Sequence, residues 1–330
     1  MKPARVKTTH AKRRAATPGT AYFLGIDGGG SQTTAWLADN HHHVLARITV
    51  GPSNPLKAGL QLARRNLLAA SRQARREAGL SSRQKLEAVC AGVAGVGRPS
   101  IYRQMLRSLE RGVPARRHLL THDAAIALEC ALGASPGVIV ISGTGSIACG
   151  RDENYRIVRC GGWGSVFGDS GSGYDIGRKA VSAALGAFDG RWPETRLGKD
   201  ICRALKIREI TEAVALNLTP DQVAALFPLV SRAARLGDRV AQRLCREAGR
   251  ELAEMASFLS SRIRGAPARR RVICTGGVFR ASPEVRRSFA NCLRVASPGA
   301  RVTLLECQPA EGALALAMAS AGNPKLRQIK

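Results

Sequence analysis

The chain has 330 residues, of which 45% are hydrophobic and 23% charged, a composition typical of a folded protein with room for two domains and not of a disordered chain. Its 51 Lys and Arg residues against 24 Asp and Glu give a net charge of +27, but aromatic residues make up only 4%, so stacking platforms for single-stranded nucleic acid are scarce. The basic residues are spread along the whole chain, and we interpret them as a solvated, arginine-rich surface.

Targeting segments and cysteine motifs are not visible in the sequence. No stretch approaches eighteen consecutive apolar residues, and the N-terminal region lacks the apolar core of a secretory signal. The nine cysteines are never closer than eleven residues apart, so no C-x-x-C metal or redox motif occurs. We therefore expect a soluble, cytoplasmic protein without a membrane partner, whose cysteines are reduced core residues.

The N-terminal segment, residues 1–20, contains six Lys and Arg residues and no acidic residue. It also lacks the apolar periodicity that a packed element needs, so we predict a disordered basic tail. An organelle transit peptide would share the basic, acid-free composition, but it would also be rich in serine.

The first predicted elements form an antiparallel meander. Residues 22–26 are apolar and predict a strand, residues 27–31 (DGGGS) a turn, and residues 33–38 and 44–50 two further strands. The three consecutive histidines at positions 41–43 lie between these last strands. Because adjacent side chains in a turn point in different directions, we interpret them as a solvated turn and not as a metal site.

Alternating helices and strands follow the meander. Residues 60–74 place apolar side chains three and four positions apart, which predicts a helix ending near Gly79. Residues 86–93 predict a buried strand, residues 101–109 a helix, and residues 118–121 a short strand that ends just before Asp123.

The second half begins like the first. Residues 138–141 predict a strand, residues 142–146 (SGTGS) a turn, and residues 147–150 and 156–159 two strands, so each half opens on a glycine-rich hairpin, about 115 residues apart. This repetition predicts duplicated lobes that face one ligand cleft. A long helix near residues 240–263 carries one apolar stripe, which we interpret as core packing.

The two glycine-rich hairpins carry the clearest chemistry. Glycine has no Cβ and tolerates positive φ, so successive backbone N–H groups can converge on one phosphate. Neither hairpin fits the Walker A pattern or the dinucleotide fingerprint G-x-G-x-x-G. The candidate phosphate-binding residues are Gly28, Gly29, Gly30 and Ser31 in the first hairpin and Gly143, Thr144, Gly145 and Ser146 in the second.

Three aspartates accompany the hairpins: Asp27, Asp123 and Asp169. Phosphoryl transfer needs Mg²⁺ held by carboxylate and water, together with a base that orients the acceptor hydroxyl, and three carboxylates could supply both. Taken one at a time, each aspartate could equally be a helix cap or a turn residue.

The ordered motifs between Thr121 and Asp175 (THDAA, ISGTGS, GGWG and GDSGS) resemble those of the N-acetylglucosamine kinases in the BadF/BadG/BcrA/BcrD ATPase family, and the resemblance covers residues 22–320. It implies an α/β fold of two RNase H-like (actin-like ATPase) lobes with a ligand cleft between them. The implied domains are an N-terminal lobe over residues 21–135, completed by a C-terminal helix over residues 310–326, and a C-terminal lobe over residues 136–309.

The resemblance also implies a role for each motif. Asp27 would hold Mg²⁺ through water, Thr33 would belong to the ATP site, Thr144 would lie near the transferred phosphate, and Asp123 would be the general base. Gly276 and Gly277, within CTGGV, would bind adenosine, and residues 311–315 (EGALA) would open the final helix. The implied sugar contacts are Ser53, Asn54, Gly162, Trp163, Gly164 and Asp169. Ser170 replaces the acidic residue often found after this last aspartate, which leaves the preferred sugar open.

The predicted function is ATP-dependent phosphorylation of an amino sugar, with ATP and Mg²⁺ as cofactors and the 6-hydroxyl of N-acetyl-D-glucosamine as the first candidate acceptor. Glucosamine and N-acetylmuramic acid remain alternatives. Other hypotheses are an ATPase activator of an acyl-CoA dehydratase or reductase, which needs an iron–sulfur cluster, a basic nucleic-acid-binding RNase H-like protein, and a sugar sensor. Whether the chain forms a homodimer is left open.

Overall fold

The computed structural model describes residues 20–81, 84–133, 135–154, 156–263, 271–305 and 308–322. Nearly all of the predicted basic tail, residues 1–19, lies outside this part of the chain, as do residues 323–326 of the expected C-terminal helix. In the described ranges, no helix combines the length and the apolar character that crossing a membrane requires.

The first half of the chain forms a five-stranded mixed sheet with the strand order β3-β2-β1-β4-β5. The three leading strands pair antiparallel, whereas β4 and β5 run parallel to β1. Its strands are β1 (Tyr22–Gly28), β2 (Thr33–Asp39), β3 (Val44–Val50), β4 (Leu86–Val93) and β5 (Ala115–Thr121), and its helices are α1 (Pro55–Ala58), α2 (Leu60–Glu77), α3 (Pro99–Gly112) and α4 (Asp123–Leu132).

The second half builds a sheet of the same design, in the order β10-β9-β6-β7-β8. Here β6, β7 and β8 form the antiparallel meander, and β9 and β10 run parallel to β6. Its strands are β6 (Gly137–Ser142), β7 (Ser146–Arg151), β8 (Ile157–Gly161), β9 (Arg271–Thr275) and β10 (Arg301–Leu304). Its helices are α5 (Gly173–Phe188), α6 (Leu197–Leu205), a 3₁₀ helix (Ile210–Leu216), α7 (Pro220–Ala224), α8 (Phe227–Arg235), α9 (Arg239–Arg262), α10 (Gly277–Ala281) and α11 (Pro283–Ala296).

The chain separates into two units, with the division after Gly133. The last helix, α12 (Pro309–Gly322), belongs to the first unit, where it packs on β1, β4 and α4. Both units are α/β, and both sheets have the strand order and directions of an RNase H-like lobe. The predicted fold class, α/β with two RNase H-like lobes, is confirmed.

The first sheet buries both of its faces. Leu24 and Ile26 of β1 point into a core built with α2 and α3, whereas Phe23 points into a second core with α4 and α12. This alternation follows from the period of two along a strand. The close approach of α12 depends on glycine, because a Cβ on Gly25 would lie only 2.2 Å from the backbone nitrogen of Leu314.

The second unit has one large core that includes the stripe of α9. Val240, Leu244, Leu252 and Leu259 are all buried there, so their interpretation as core residues is confirmed. The cysteine prediction is confirmed in part. Within the described residues the cysteines are free, and those at positions 90, 149, 245 and 274 are fully buried, whereas the others are partly exposed.

The structure corrects the predicted limits of the two hairpins. Asp27 and Gly28 are not turn residues but the last two residues of β1, paired with β2 on one side and β4 on the other. Ser142 and Ser146 likewise pair with each other as the ends of β6 and β7. Hydrogen bonding from neighbouring strands extends each strand beyond its apolar run, because paired backbone groups stabilise even a glycine in a strand.

Candidate active site

The turn between β1 and β2, residues 29–32, is called here the first glycine turn. The Gly29 nitrogen donates to the carbonyl oxygen of Gln32 at 2.9 Å. The Gly29 carbonyl accepts from the nitrogens of Ser53 and Asn54, at 3.1 and 3.0 Å. In a trans peptide the C=O and N–H groups point in opposite directions, so the N–H of Gly30 points away from the Ser53–Asn54 backbone. The turn therefore presents a donor on its outer side.

Buried hydroxyl groups next to the first glycine turn hold it in place. The Oγ1 atom of Thr33 lies 2.8 Å from the carbonyl oxygen of Gly51 and 2.7 Å from the Oγ atom of Ser53. Both Thr33 and Ser53 are fully buried, and a Cβ on Gly28 would lie only 2.5 Å from the same Ser53 Oγ. Ser53, predicted as a sugar contact, thus supports the turn in this structure.

Asn54, the other predicted sugar contact of this unit, caps α1. Its Oδ1 atom accepts from the nitrogen of Leu56 at 2.9 Å. A Cβ on Gly95 would lie 2.5 Å from this same oxygen, so the loop after β4 packs closely against the cap. The side chain is half-buried, and its amide group is held in one orientation beside the first glycine turn.

Asp27 and Asp123 interact electrostatically at the end of this sheet. Burial, together with the negative charge of Asp123, raises the pKa of Asp27 to about 7. Asp27 lies in register with Gly92 of β4, which in turn lies in register with Thr121 of β5, two residues before Asp123. Asp123 itself is exposed in the first turn of α4. The protein therefore leaves the charge of Asp27 poorly compensated.

This arrangement fits a hydrated Mg²⁺ ion bound with a nucleotide. Mg²⁺ usually keeps several waters and is held by one or two carboxylates plus the phosphate oxygens of the substrate. Burial and the charge of Asp123 disfavour the ionised form of Asp27, and a bound cation would favour that form. Among the residues that the structure describes, no group of three or more His, Cys, Asp and Glu side chains is arranged to hold a metal by itself.

The turn between β6 and β7, residues 143–145, is called here the second glycine turn. The Gly143 nitrogen donates to the carbonyl oxygen of Gly145 at 2.9 Å. The carbonyl groups of Gly143 and Thr144 accept from Gly173 and Tyr174, at the start of α5, at 2.8 and 3.2 Å. Because these carbonyls face α5, the N–H groups of Thr144 and Gly145 point to the opposite side. Two successive N–H groups with one direction form an anion-binding nest.

The predicted adenosine motif lies directly beside this turn. The strand pair Ile141–Thr275 joins β6 to β9, and Gly276 follows with a φ of +106°. A Cβ at Gly276 would lie 2.2 Å from the carbonyl oxygen of Ser142, so only glycine fits this position. Next to it, Gly277 begins α10 and has no atom within 4 Å of a would-be Cβ.

Asp169 also lies against the second glycine turn. A Cβ on Gly145 would come within 2.7 Å of its Oδ2 atom, and Asp169 has a left-handed φ of +60°. The following residue is anchored, because the Oγ atom of Ser146 donates to the carbonyl oxygen of Ser170 at 2.7 Å. The structure thus places the third aspartate within reach of a ligand held by this turn.

The GGWG segment follows β8 and is tied to the same hairpin by a hydrogen bond from the Gly162 nitrogen to the carbonyl oxygen of Ser146, at 3.0 Å. Gly162 and Gly164 have φ values of +71° and +88°, and they flank Trp163, whose surface is 67% exposed. The guanidinium of Arg159 lies 4.2 Å from the centre of the Trp163 ring. An exposed indole beside a polar turn can stack on a ligand with an apolar face.

Sequence reasoning missed an ion network behind the second glycine turn. The Nζ atom of Lys179 lies 2.7 Å from Asp175 and 2.9 Å from Glu251, and Asp175 also accepts from the Gly171 nitrogen at 3.1 Å. Burial lowers the pKa of Lys179, but the hydrogen bonds to both carboxylates outweigh it and raise the pKa above its ordinary value. The Asp175–Lys179 spacing of four on α5 was a visible signal, but nothing local indicates Glu251, 72 residues further along.

Lys57 of α1 was also missed, because no motif in the sequence includes it. A Cβ on Gly30 would lie 2.9 Å from its Cδ atom and 3.5 Å from its Nζ atom. Its side chain therefore lies along the first glycine turn.

Comparison with known proteins agrees with this arrangement of motifs. The model of the BadF/BadG/BcrA/BcrD ATPase family matches residues 24–317. An N-acetylmuramic acid/N-acetylglucosamine kinase from Clostridium acetobutylicum is 38% identical over 238 residues, which cover 70% of this chain and 76% of the relative. An N-acetyl-D-glucosamine kinase from Dictyostelium discoideum is 26% identical over 314 residues, 90% of this chain and 98% of the relative. The crystal structure of a candidate N-acetylglucosamine kinase from Chromobacterium violaceum superimposes with a TM-score of 0.73 at 29% identity, covering 90% of this chain and 99% of that one.

Proposed function

The chain belongs to the BadF/BadG/BcrA/BcrD ATPase family, and we propose that within this family it is an ATP-dependent kinase that phosphorylates an amino sugar. The observation that carries the proposal is the grouping, in the first unit, of a glycine turn, a carboxylate with a poorly compensated charge and a second, exposed carboxylate. Phosphoryl transfer needs these three parts: a phosphate cradle, a ligand for a cation and a base. The kinase relatives support this assignment.

The proposed roles follow from the chemistry of each group. The N–H groups of Thr144 and Gly145 hold phosphate oxygens, and Gly276 and Gly277 allow a flat base to lie against the backbone. Asp123 accepts the proton of the acceptor hydroxyl as the hydroxyl oxygen bonds to the γ-phosphorus of ATP and the bond from that phosphorus to the β,γ-bridging oxygen breaks, which releases ADP. Bound Mg²⁺, held by Asp27 through water, would neutralise phosphate charge.

We propose that the acceptor is an N-acetylated sugar, with N-acetyl-D-glucosamine first and N-acetylmuramic acid second. The named activities of the two kinase relatives support this order. Trp163 offers an apolar face for a pyranose ring, and Asp169 of the same unit offers a polar group for its hydroxyls. Because such a kinase draws on the ATP of the cell interior, we also propose that the protein works in the cytoplasm.

The test is the release of ADP by the purified full-length chain with Mg·ATP and a panel of acceptors. The panel contains N-acetylglucosamine, N-acetylmuramic acid, glucosamine and glucose, with a control that lacks sugar. We expect an N-acetylated sugar to raise the rate above the control and to exceed glucose by about tenfold or more, because one polar or apolar substituent changes specificity by factors of about 10 to 200. ADP release at the same rate with and without every sugar would show an ATPase and contradict the proposal.

A further inference from the structure

The side chain of Lys57, in α1, lies over the first glycine turn. A Cβ on Gly30 would lie 2.9 Å from its Cδ atom and 3.5 Å from both its Cε and Nζ atoms. The ammonium group therefore lies beside Gly30, whose N–H group points outward from the turn. Glycine at this position leaves the room that the lysine side chain occupies.

The chain holds Lys57 in this place through a series of backbone hydrogen bonds. The nitrogens of Ser53 and Asn54 donate to the Gly29 carbonyl, at 3.1 and 3.0 Å, and the Lys57 nitrogen donates to the Asn54 carbonyl at 3.2 Å. Asn54 also caps the short helix that carries the lysine. These hydrogen bonds link the backbone of Lys57 through Asn54 to the first glycine turn.

The ammonium group of Lys57 is available to a ligand. Within the described part of the chain, Lys57 forms no ion pair, and its side chain is exposed. An ammonium group beside an outward N–H donor and without a carboxylate partner is suited to a phosphate oxygen.

We propose that Lys57 is a catalytic residue that binds the terminal, transferred phosphoryl group of ATP. This inference rests on the proposed function: the first glycine turn, beside which Lys57 lies, is at the same end of the sheet as Asp123, the proposed base, and the phosphate nearest the base is the one transferred. The ammonium group donates to an oxygen of this phosphoryl group and stabilises the charge that spreads over those oxygens during transfer.

The test compares Lys57→Met, Lys57→Arg and the control Lys85→Met in the full-length chain. Lys85 is an exposed lysine of the same unit, but it precedes β4 and so lies at the opposite end of the sheet. We expect Lys57→Met to lower kcat/KM for Mg·ATP about 100-fold, as the loss of one preorganised donor does, and Lys57→Arg to restore at least about a tenth of the wild-type value. Lys85→Met should stay within about twofold of wild type.

Nucleotide binding separates this role from a structural one. By calorimetry, Lys57→Met should weaken the binding of Mg·AMP-PNP at least about tenfold and that of Mg·ADP by less than about threefold, because only the first has a terminal phosphate. Equal losses for both nucleotides, or no loss for either, would overturn the proposal. The binding measurement does not require the acceptor sugar. If the wild-type protein shows no sugar-stimulated turnover, the proposed kinase activity is refuted, but the comparison of the two nucleotides still tests the role of Lys57. A wild-type protein that binds neither nucleotide would refute both.

Discussion

Asp27 is an aspartate whose ionised form is poorly stabilised by the rest of the protein. Its carboxylate is half-buried at the end of β1, where burial and the charge of Asp123 raise its pKa to about 7. A folded-state pKa above the unfolded value means that the native chain binds the proton more tightly than the unfolded chain does. Ionised Asp27 therefore destabilises the ligand-free protein above that pH.

Replacing Asp27 with Asn should consequently stabilise the ligand-free protein. The destabilisation is absent below pH 4, where the carboxyl is protonated in both states, grows between about pH 4 and 7, and is complete above about pH 7. We expect Asp27→Asn to gain about 1–3 kcal/mol in the free energy of unfolding at pH 8, and almost nothing at pH 4. Urea unfolding at the two pH values measures the gain, and a loss of stability at pH 8 would contradict it.

Asp123, unlike Asp27, is exposed, so its side chain can be changed without affecting the core. As the proposed base, it acts in turnover and not in nucleotide binding. Asp123→Asn should therefore lower kcat by about 10² to 10⁴ and leave the Kd for Mg·ATP within about threefold. Initial-rate kinetics and calorimetry provide the two readings, and an Asn variant with wild-type kcat would refute the assignment.

At the scale of the elements, close contacts of glycine decide how helices meet the first sheet. A Cβ on Gly312 of α12 would lie 1.9 Å from the carbonyl oxygen of Ile126 in α4, which is a backbone atom and cannot move aside. Gly322, at the other end of the same helix, has no atom within 4 Å of a would-be Cβ. The helix therefore contains a matched pair of sites.

Alanine substitutions at Gly312 and Gly322 should change the stability of the protein in opposite directions. Alanine has a higher helix propensity than glycine, so Gly322→Ala should be neutral or stabilise the protein by up to about 1 kcal/mol. Gly312→Ala should instead destabilise it by about 2 kcal/mol or more, because the added methyl forces α12 away from α4. Thermal and urea unfolding of both variants provide the measurement, and a stabilising Gly312→Ala would refute the tight packing of these helices.

At the scale of the whole molecule, the net charge of +27 is the dominant electrostatic feature. Some ion pairs of the described residues, such as Arg250–Glu254 and Arg243–Glu247, are exposed on both sides and contribute little to stability. Repulsion among the remaining arginines should therefore destabilise the folded state at low ionic strength.

Salt should then stabilise this protein, unlike one that depends on surface ion pairs. Raising NaCl from about 20 to about 200 mM shortens the Debye length from roughly 20 Å to below 10 Å, and we expect the Tm to rise by a few degrees. KCl should act equally, because screening does not depend on which monovalent cation is used. A Tm that falls with added salt would indicate that attractive ion pairs outweigh the repulsion.

The sequence by itself determined the features that depend on local pattern. Apolar patterns predicted β3 and β4 with their observed limits, and the glycine-rich hairpins marked both turns, because strand burial and turn geometry depend on neighbouring residues. The order of the motifs was enough to indicate the family, which the match over residues 24–317 confirms.

Only the tertiary structure decided the features that depend on distant parts of the chain. The return of α12 to β1, the pairing of Lys179 with Glu251 and the position of Lys57 over Gly30 join segments that carry no shared pattern. The elevated pKa of Asp27 has the same origin, because burial and the neighbouring charge of Asp123 arise only when the strands are assembled. Local sequence fixes which backbone conformation each segment prefers, whereas the contacts that give a side chain its chemistry exist only after the chain has folded.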